Sequence, residues 1–159
     1  MLKKTITYTD YNDIERTEDF YFNLNKAEVA EWNFKNNGSL DIQLQRLLNK
    51  GDMEGILKVY KDIILAAYGE KSDDGKRFIK SEQLSKEFSE TEAFANLYVD
   101  LLSDNGSKIV AFIKGILPKD YQKTLSEMSE DDLKKAAADS NVKVDDNVVK
   151  ALVDKGDND

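Results

Sequence analysis

The chain has no cysteine and no histidine among its 159 residues. Without cysteine there are no disulfide frameworks, thiolate zinc sites or cysteine nucleophiles, and without histidine there is no histidine-based catalytic triad. Hydrolysis on paired carboxylates, lysine or magnesium stays open in principle. The most versatile acid–base side chain near neutral pH is nevertheless missing, so a protein without catalytic residues, cofactor or metal is expected. No run approaches the roughly 18 apolar residues of a membrane span, and Met1-Leu2-Lys3-Lys4 lacks a signal-peptide stretch, which points to the cytoplasm. Positive charge is also in deficit: 23 Lys and Arg face 31 Asp and Glu, for a net charge of −8. Nucleic acid and anionic membrane both call for a positive field, so neither is an expected partner.

What is present fits one soluble domain with room for a real core. Thr5 to Glu28, TITYTDYNDIERTEDFYFNLNKAE, reads as two alternating runs across a polar turn. Side chains alternate across a strand, so Ile6 and Tyr8 share one face of the first run and Phe20, Phe22 and Leu24 one face of the second. Asp10-Tyr11-Asn12-Asp13 supplies turn-forming side chains, and the pair reads as a β-hairpin. A lone hairpin is marginal in water, so its apolar face needs helices to cover it.

The rest of the chain reads as those helices. Asn25-Lys26-Ala27-Glu28 has the form of a capping box opening a helix to about Phe34, with a stop at Asn36-Asn37-Gly38. Ser39 can cap a second helix carrying Leu40, Leu44, Leu47 and Leu48. After Gly51, a third helix places Met53, Ile56, Leu57, Tyr60, Ile63, Ile64 and Ala67 on amphipathic spacing, with Gly69 as its stop. Glu70 to Lys80 is polar to Gly75 and then too short to classify. Ser81 can cap a short helix with Leu84 and Phe88 inward. Ser89-Glu90-Thr91-Glu92 reads as a second capping box, before a stripe of Phe94, Leu97, Tyr98, Leu101 and Leu102. Ser107 can open a helix with Ile109, Phe112, Ile113 and Ile116 inward, closed by the only proline, Pro118. Residues 121–159 carry six lysines against ten acidic residues and one aromatic, Tyr121. They read as a small, weakly packed acidic helical appendage, with starts near Ser129 and Asp145 and an apolar set of Val148, Val149, Leu152 and Val153.

Candidate sites are few. Lys71-Ser72-Asp73-Asp74-Gly75 has the look of a calcium loop, but with Gly75 at the sixth position the twelfth is Ser81, where a bidentate glutamate is needed. A solvated turn is the better reading. The carboxylates of Glu127 to Asp132 and Asp145-Asp146 fall at predicted helix starts, where the helix dipole favours them. Gly51-Asp52-Met53-Glu54-Gly55 lacks the lysine and hydroxyl residue of a phosphate loop. The seven Tyr and seven Phe fall mostly on inward stripes, which favours core packing over a base-stacking platform. Trp32 and Phe34 fit no stripe with Ala27 and Ala30 and are candidates for an exposed contact point, against a helix rolled to bury them. A hairpin strand at the rim of the body could accept a partner's strand, although its threonines and charges equally discourage this.

Three blocks in order, Thr5–Glu28, AAYGEKSDDGKRFIKSEQLSKEFSETEAFANLY at Ala66–Tyr98 and FIKGILPKD at Phe112–Asp120, resemble the tail assembly chaperones of long-tailed bacteriophages of Gram-positive hosts. The resemblance covers about residues 1–120. It implies a non-enzymatic protein of the infected cell's cytoplasm that binds the tape measure protein, keeps it soluble, helps recruit tail tube subunits and is absent from the finished particle. It brings no catalytic residues. Within the matching blocks, Arg77, Phe78 and Ile79 are the candidate client-facing segment, two large apolar residues beside a charge; a loop folded onto the body is the competing reading.

The expected architecture is therefore mostly helical α+β: an N-terminal β-hairpin (3–24) packed on five or six helices within a chaperone-like domain of residues 1–120, then the appendage of 121–159. A small structural component of the virion, in the tail or the head–tail joint, is the rival reading, and self-association is left open.

Overall fold

The computed structural model describes residues 1–104 and 107–121. The expected appendage, with its proposed helix starts and its carboxylate clusters, lies outside the described residues.

The expected hairpin is formed by β1 (Leu2–Thr9) and β2 (Glu15–Phe22), antiparallel, with Leu2 opposite Phe22 and Thr9 opposite Glu15. Its turn is held by Asp10, whose Oδ1 accepts from the amides of Asn12 (2.8 Å) and Ile14 (3.0 Å). Asp13 takes the left-handed conformation at φ 59°, which aspartate tolerates better than most residues. On the exposed face, Thr5 Oγ1 donates to Asp19 and the Thr7 and Thr17 hydroxyls pair across the strands. Ile6 and Phe22 are buried on the other face, with Tyr8 and Phe20 half-buried beside them.

The sheet is larger than a hairpin. β3 (Tyr68–Lys71) pairs with β2 through Gly69 and Tyr21, and β4 (Phe78–Ile79) pairs with β3 through Lys71 and Phe78. The result is a four-stranded antiparallel sheet in the order β1-β2-β3-β4. Gly69, expected to stop a helix, lies instead within β3. A Cβ built there would come within 2.7 Å of the Phe78 ring and 2.8 Å of the Ile79 carbonyl oxygen, so glycine is what lets β4 approach.

Six helices lie among the described residues. α1 (Lys26–Lys35) has the capping box, with Glu28 N donating to Asn25 Oδ1 and Asn25 N to Glu28 Oε2. α2 (Leu40–Lys50) buries Leu40, Leu44 and Leu48 and ends at left-handed Gly51; Ser39 precedes it without a side-chain cap bond. α3 (Met53–Ala67) starts at Asp52, which accepts from Gly55 N, and buries Ile56, Val59, Tyr60, Ile63, Ile64 and Ala67. α4 (Glu82–Ser89) is capped by Ser81 and buries Phe88. α5 (Glu92–Leu102) is capped by Thr91 rather than Ser89. The reason is that α4 runs through Ser89, whose hydroxyl donates to Lys86 O, whereas an N-cap needs the extended backbone that Thr91 has. α6 (Ser107–Ile116) buries Ile109, Val110, Phe112, Ile113 and Ile116.

Helices and sheet meet around Phe88. Its ring stacks on Tyr68 at 4.2 Å and lies within 6 Å of Phe20, Phe22 and Phe94, while Phe22 meets Phe112 edge-on at 5.1 Å. α5 and α6 pack on β1. Two backbone bonds fasten the exit of β2, from Asn23 N to Ala67 O and from Leu24 N to Ile116 O, both 2.8 Å. Thus the hairpin, the central helix α3 and the last described helix share one core.

Candidate partner-binding surface

Trp32 and Phe34 lie on α1 but do different things. Trp32 is half-buried, packs on the core and donates through Nε1 to Gln43 Oε1 at 3.3 Å. Gln43 in turn donates to Asn36 Oδ1, whose amide nitrogen caps the Trp32 carbonyl, so Trp32 is tied into the α1–α2 corner. Phe34, two positions on, projects from another side of the helix and is 89% exposed. Ala30 and Ala27, one and two turns before it, are exposed as well, so Phe34, expected to fit no stripe with them, lies in line with both on a face turned to solvent.

The second candidate segment also divides. Arg77 is exposed, Phe78 is half-buried in β4 with Lys80 Nζ 5.5 Å from its ring centre, and Ile79 is 38% exposed. The polar stretch before it is a tight turn. Ser72 N donates to Arg77 O, Gly75 N to Ser72 O, and Gly75 takes a φ of 71°. Asp74 accepts from the Ser72 hydroxyl and the Lys76 amide, which together hold its carboxyl below the ordinary aspartate value. These bonds organise the β3–β4 turn.

One clip joins the two segments. Lys80 Nζ donates to Asn23 O at 2.5 Å and to Glu28 Oε1 at 2.8 Å, and both partners are largely shielded from solvent. Glu28 thus serves the capping box with one oxygen and this ion pair with the other. The clip sits at the first turn of α1, about 9 Å along the axis from Phe34. Phe34 and Ile79 are therefore separate apolar points, tied through α1 and not in one cluster.

Sequence reasoning missed two apolar residues and placed them inward. Met53 is 50% and Leu57 37% exposed. The buried arc of α3 includes Val59 and centres near Ile63, and Leu57 lies roughly 120° around the helix from it. Counting Val59 in the pattern would have shifted the stripe. Leu57 stands beside α5, whose Tyr98 hydroxyl donates to the Leu57 carbonyl at 3.4 Å. At the hairpin tip, Tyr11 and Ile14 are exposed too, with the Tyr11 hydroxyl bonded to Glu92 and its pKa raised by that contact.

β1 forms one rim of the sheet, the placement in which strand addition is conceivable. Thr7 O accepts from Asn96 Nδ2 at 3.3 Å, so that carbonyl points away from β2, and strand alternation puts Thr5 and Thr9 on the same rim. Of the aromatic residues, Phe22, Tyr60, Tyr68, Phe88, Phe94 and Phe112 are buried, and Tyr8, Phe20, Trp32, Tyr98 and Tyr121 pack partly buried against the core. No helix among the described residues is long and apolar enough to cross a membrane.

No curated protein and no solved structure matches the chain. The sequence model of one family, described as phage tail assembly chaperone, matches residues 1–157, including nearly all of the segment past residue 120 that the three blocks did not reach. With a match spanning almost its whole length, the chain belongs to the phage tail assembly chaperone family.

Proposed function

We propose that this chain is a non-enzymatic chaperone of long-tailed phages of Gram-positive bacteria, acting in the cytoplasm of the infected cell. Its client is the tape measure protein, which it holds soluble while tail tube subunits are brought to it, and it leaves before the particle is complete. Membership of the family across residues 1–157 is the observation that carries this reading. Physical chemistry agrees with it. A net charge of −8 opposes self-aggregation, while Phe34, Ile79, Met53 and Leu57 offer apolar contact points among charged neighbours.

Phe34 and Ile79 are the client contacts in this account, with Arg77 in the same segment as Ile79, while Trp32 and Phe78, both half-buried, belong to the α1–α2 corner and to β4. Affinity capture tests this. A tagged chain is expected to retain the tape measure protein, and Phe34→Ser with Ile79→Ser to weaken capture while unfolding stability moves by no more than about 1 kcal/mol. Capture undiminished by the double variant would place the client elsewhere. Mass spectrometry of purified particles separates the proposal from a resident virion component, for which stoichiometric protein is expected.

A further inference from the structure

A groove of about 570 Å³ lies between α3 and α4. Leu65 and Ala66 give it an apolar lining, Lys61, Lys80 and Lys86 give it positive charge, and Glu82 is the one carboxylate among its lining residues. Lys80 is already matched by Glu28, but Lys61 and Lys86 form no ion pair among the described residues. A positively lined apolar groove on a chain of net charge −8 stands apart from the surface around it.

The way the chain leaves the described body bears on what fills this groove. Asp120 pairs with Lys26 at 2.6 Å, at the start of α1, and Tyr121 packs on the core. Two residues further along α1, Glu28 pairs with Lys80, itself a lining residue of the groove. The chain therefore continues past Tyr121 from beside the first turn of α1, the same turn whose Glu28 anchors the groove residue Lys80 from the other side of the helix. It runs on for 38 residues, with net charge −4 and with Val148, Val149, Leu152 and Val153 among its carboxylates. At about 3.3 Å per extended residue, reach is no obstacle.

We propose that the groove between α3 and α4 is a docking site for the chain's own acidic segment, residues 122–159. Its carboxylates meet Lys61 and Lys86, and its apolar side chains cover Leu65 and Ala66. The pairing goes beyond the client-binding role and does not depend on it. Electrostatics between partly exposed groups is screened over about 10 Å at 0.1 M salt, so docking weakens as salt rises.

Zero-length carbodiimide coupling of the full chain tests this, because it condenses an ammonium and a carboxylate into an amide only when they touch. A mixture of ¹⁴N- and ¹⁵N-labelled chains tells links within one chain from links between two. The Lys26–Asp120 pair is the internal control. The expected result is peptides joining Lys61 or Lys86 to carboxylates of 122–159 that are almost all same-isotope, with yields falling several-fold at high salt. Control coupling without such peptides would overturn the proposal, and so would mixed-isotope links as abundant as same-isotope ones, the random proportion in an equimolar mixture, which would mean a second copy supplies the segment. Hydrogen exchange gives a second reading on Lys61→Glu/Lys86→Glu, two exposed positions. Amides of 122–159 are expected to exchange several-fold faster in the variant, and an unchanged rate would overturn the proposal as well.

Discussion

Lys80 shows how one side chain can carry a junction. Its ammonium bridges the end of β2 and the first turn of α1, and neither partner was evident from the sequence, because Asn23 and Glu28 lie more than 50 residues away. Lys80→Met keeps the aliphatic stem and removes the charge, leaving Glu28 partly buried with one bond fewer. We expect a loss of about 1–3 kcal/mol in urea unfolding. Tyr60 gives a pH prediction. Burial in α3 pushes its hydroxyl up to about 12, from an ordinary 10.0. The folded state thus holds this proton more tightly than the unfolded one. Tyr60 stabilises fully below pH 10, and that contribution is lost as pH rises from about 10 to about 12. Tyr60→Phe is expected to flatten the fall in stability over that window, measured by denaturant unfolding at stepped pH. Tyr68 and Tyr98 are raised too, chiefly by burial, so some slope remains.

At the scale of elements, what was legible followed periodicity and caps. The hairpin, the Asn25–Glu28 capping box, α3 and α6 each leave a signal of several residues, and the structure has all of them. The β3–β4 pair was not legible. Strands of four and two residues show no alternation, and their pairing depends on Gly69 admitting the Phe78 ring, a tertiary fact. Gly69→Val is expected to push β4 off β3, seen as faster hydrogen exchange at the amides of the β3–β4 ladder while the β1–β2 ladder stays protected. The α5 cap was misplaced because two hydroxyl residues stand two apart and only the end of α4 decides between them. Thr91→Ala is expected to cost about 1 kcal/mol in thermal or urea unfolding, and Ser89→Ala clearly less, since only Thr91 caps α5.

At the scale of the whole molecule, fold class and family were within reach of the sequence, whereas the surface was only half so. Phe34 stands out because the stripe it shares with Ala27 and Ala30 faces solvent, and it is the most exposed of the large apolar residues described. Trp32 lies off that stripe and turns inward, where Gln43 of α2 and Asn36 at the end of α1 give its indole and carbonyl partners. Local periodicity cannot tell those two fates apart. The whole account rests on a client, and the most direct measurement is co-expression of the tape measure protein with and without this chain, scoring the soluble fraction. The account predicts that the client is largely insoluble alone and becomes soluble, bound to this chain, when both are made. A tape measure protein that stays insoluble and unbound beside well-expressed chaperone would contradict it.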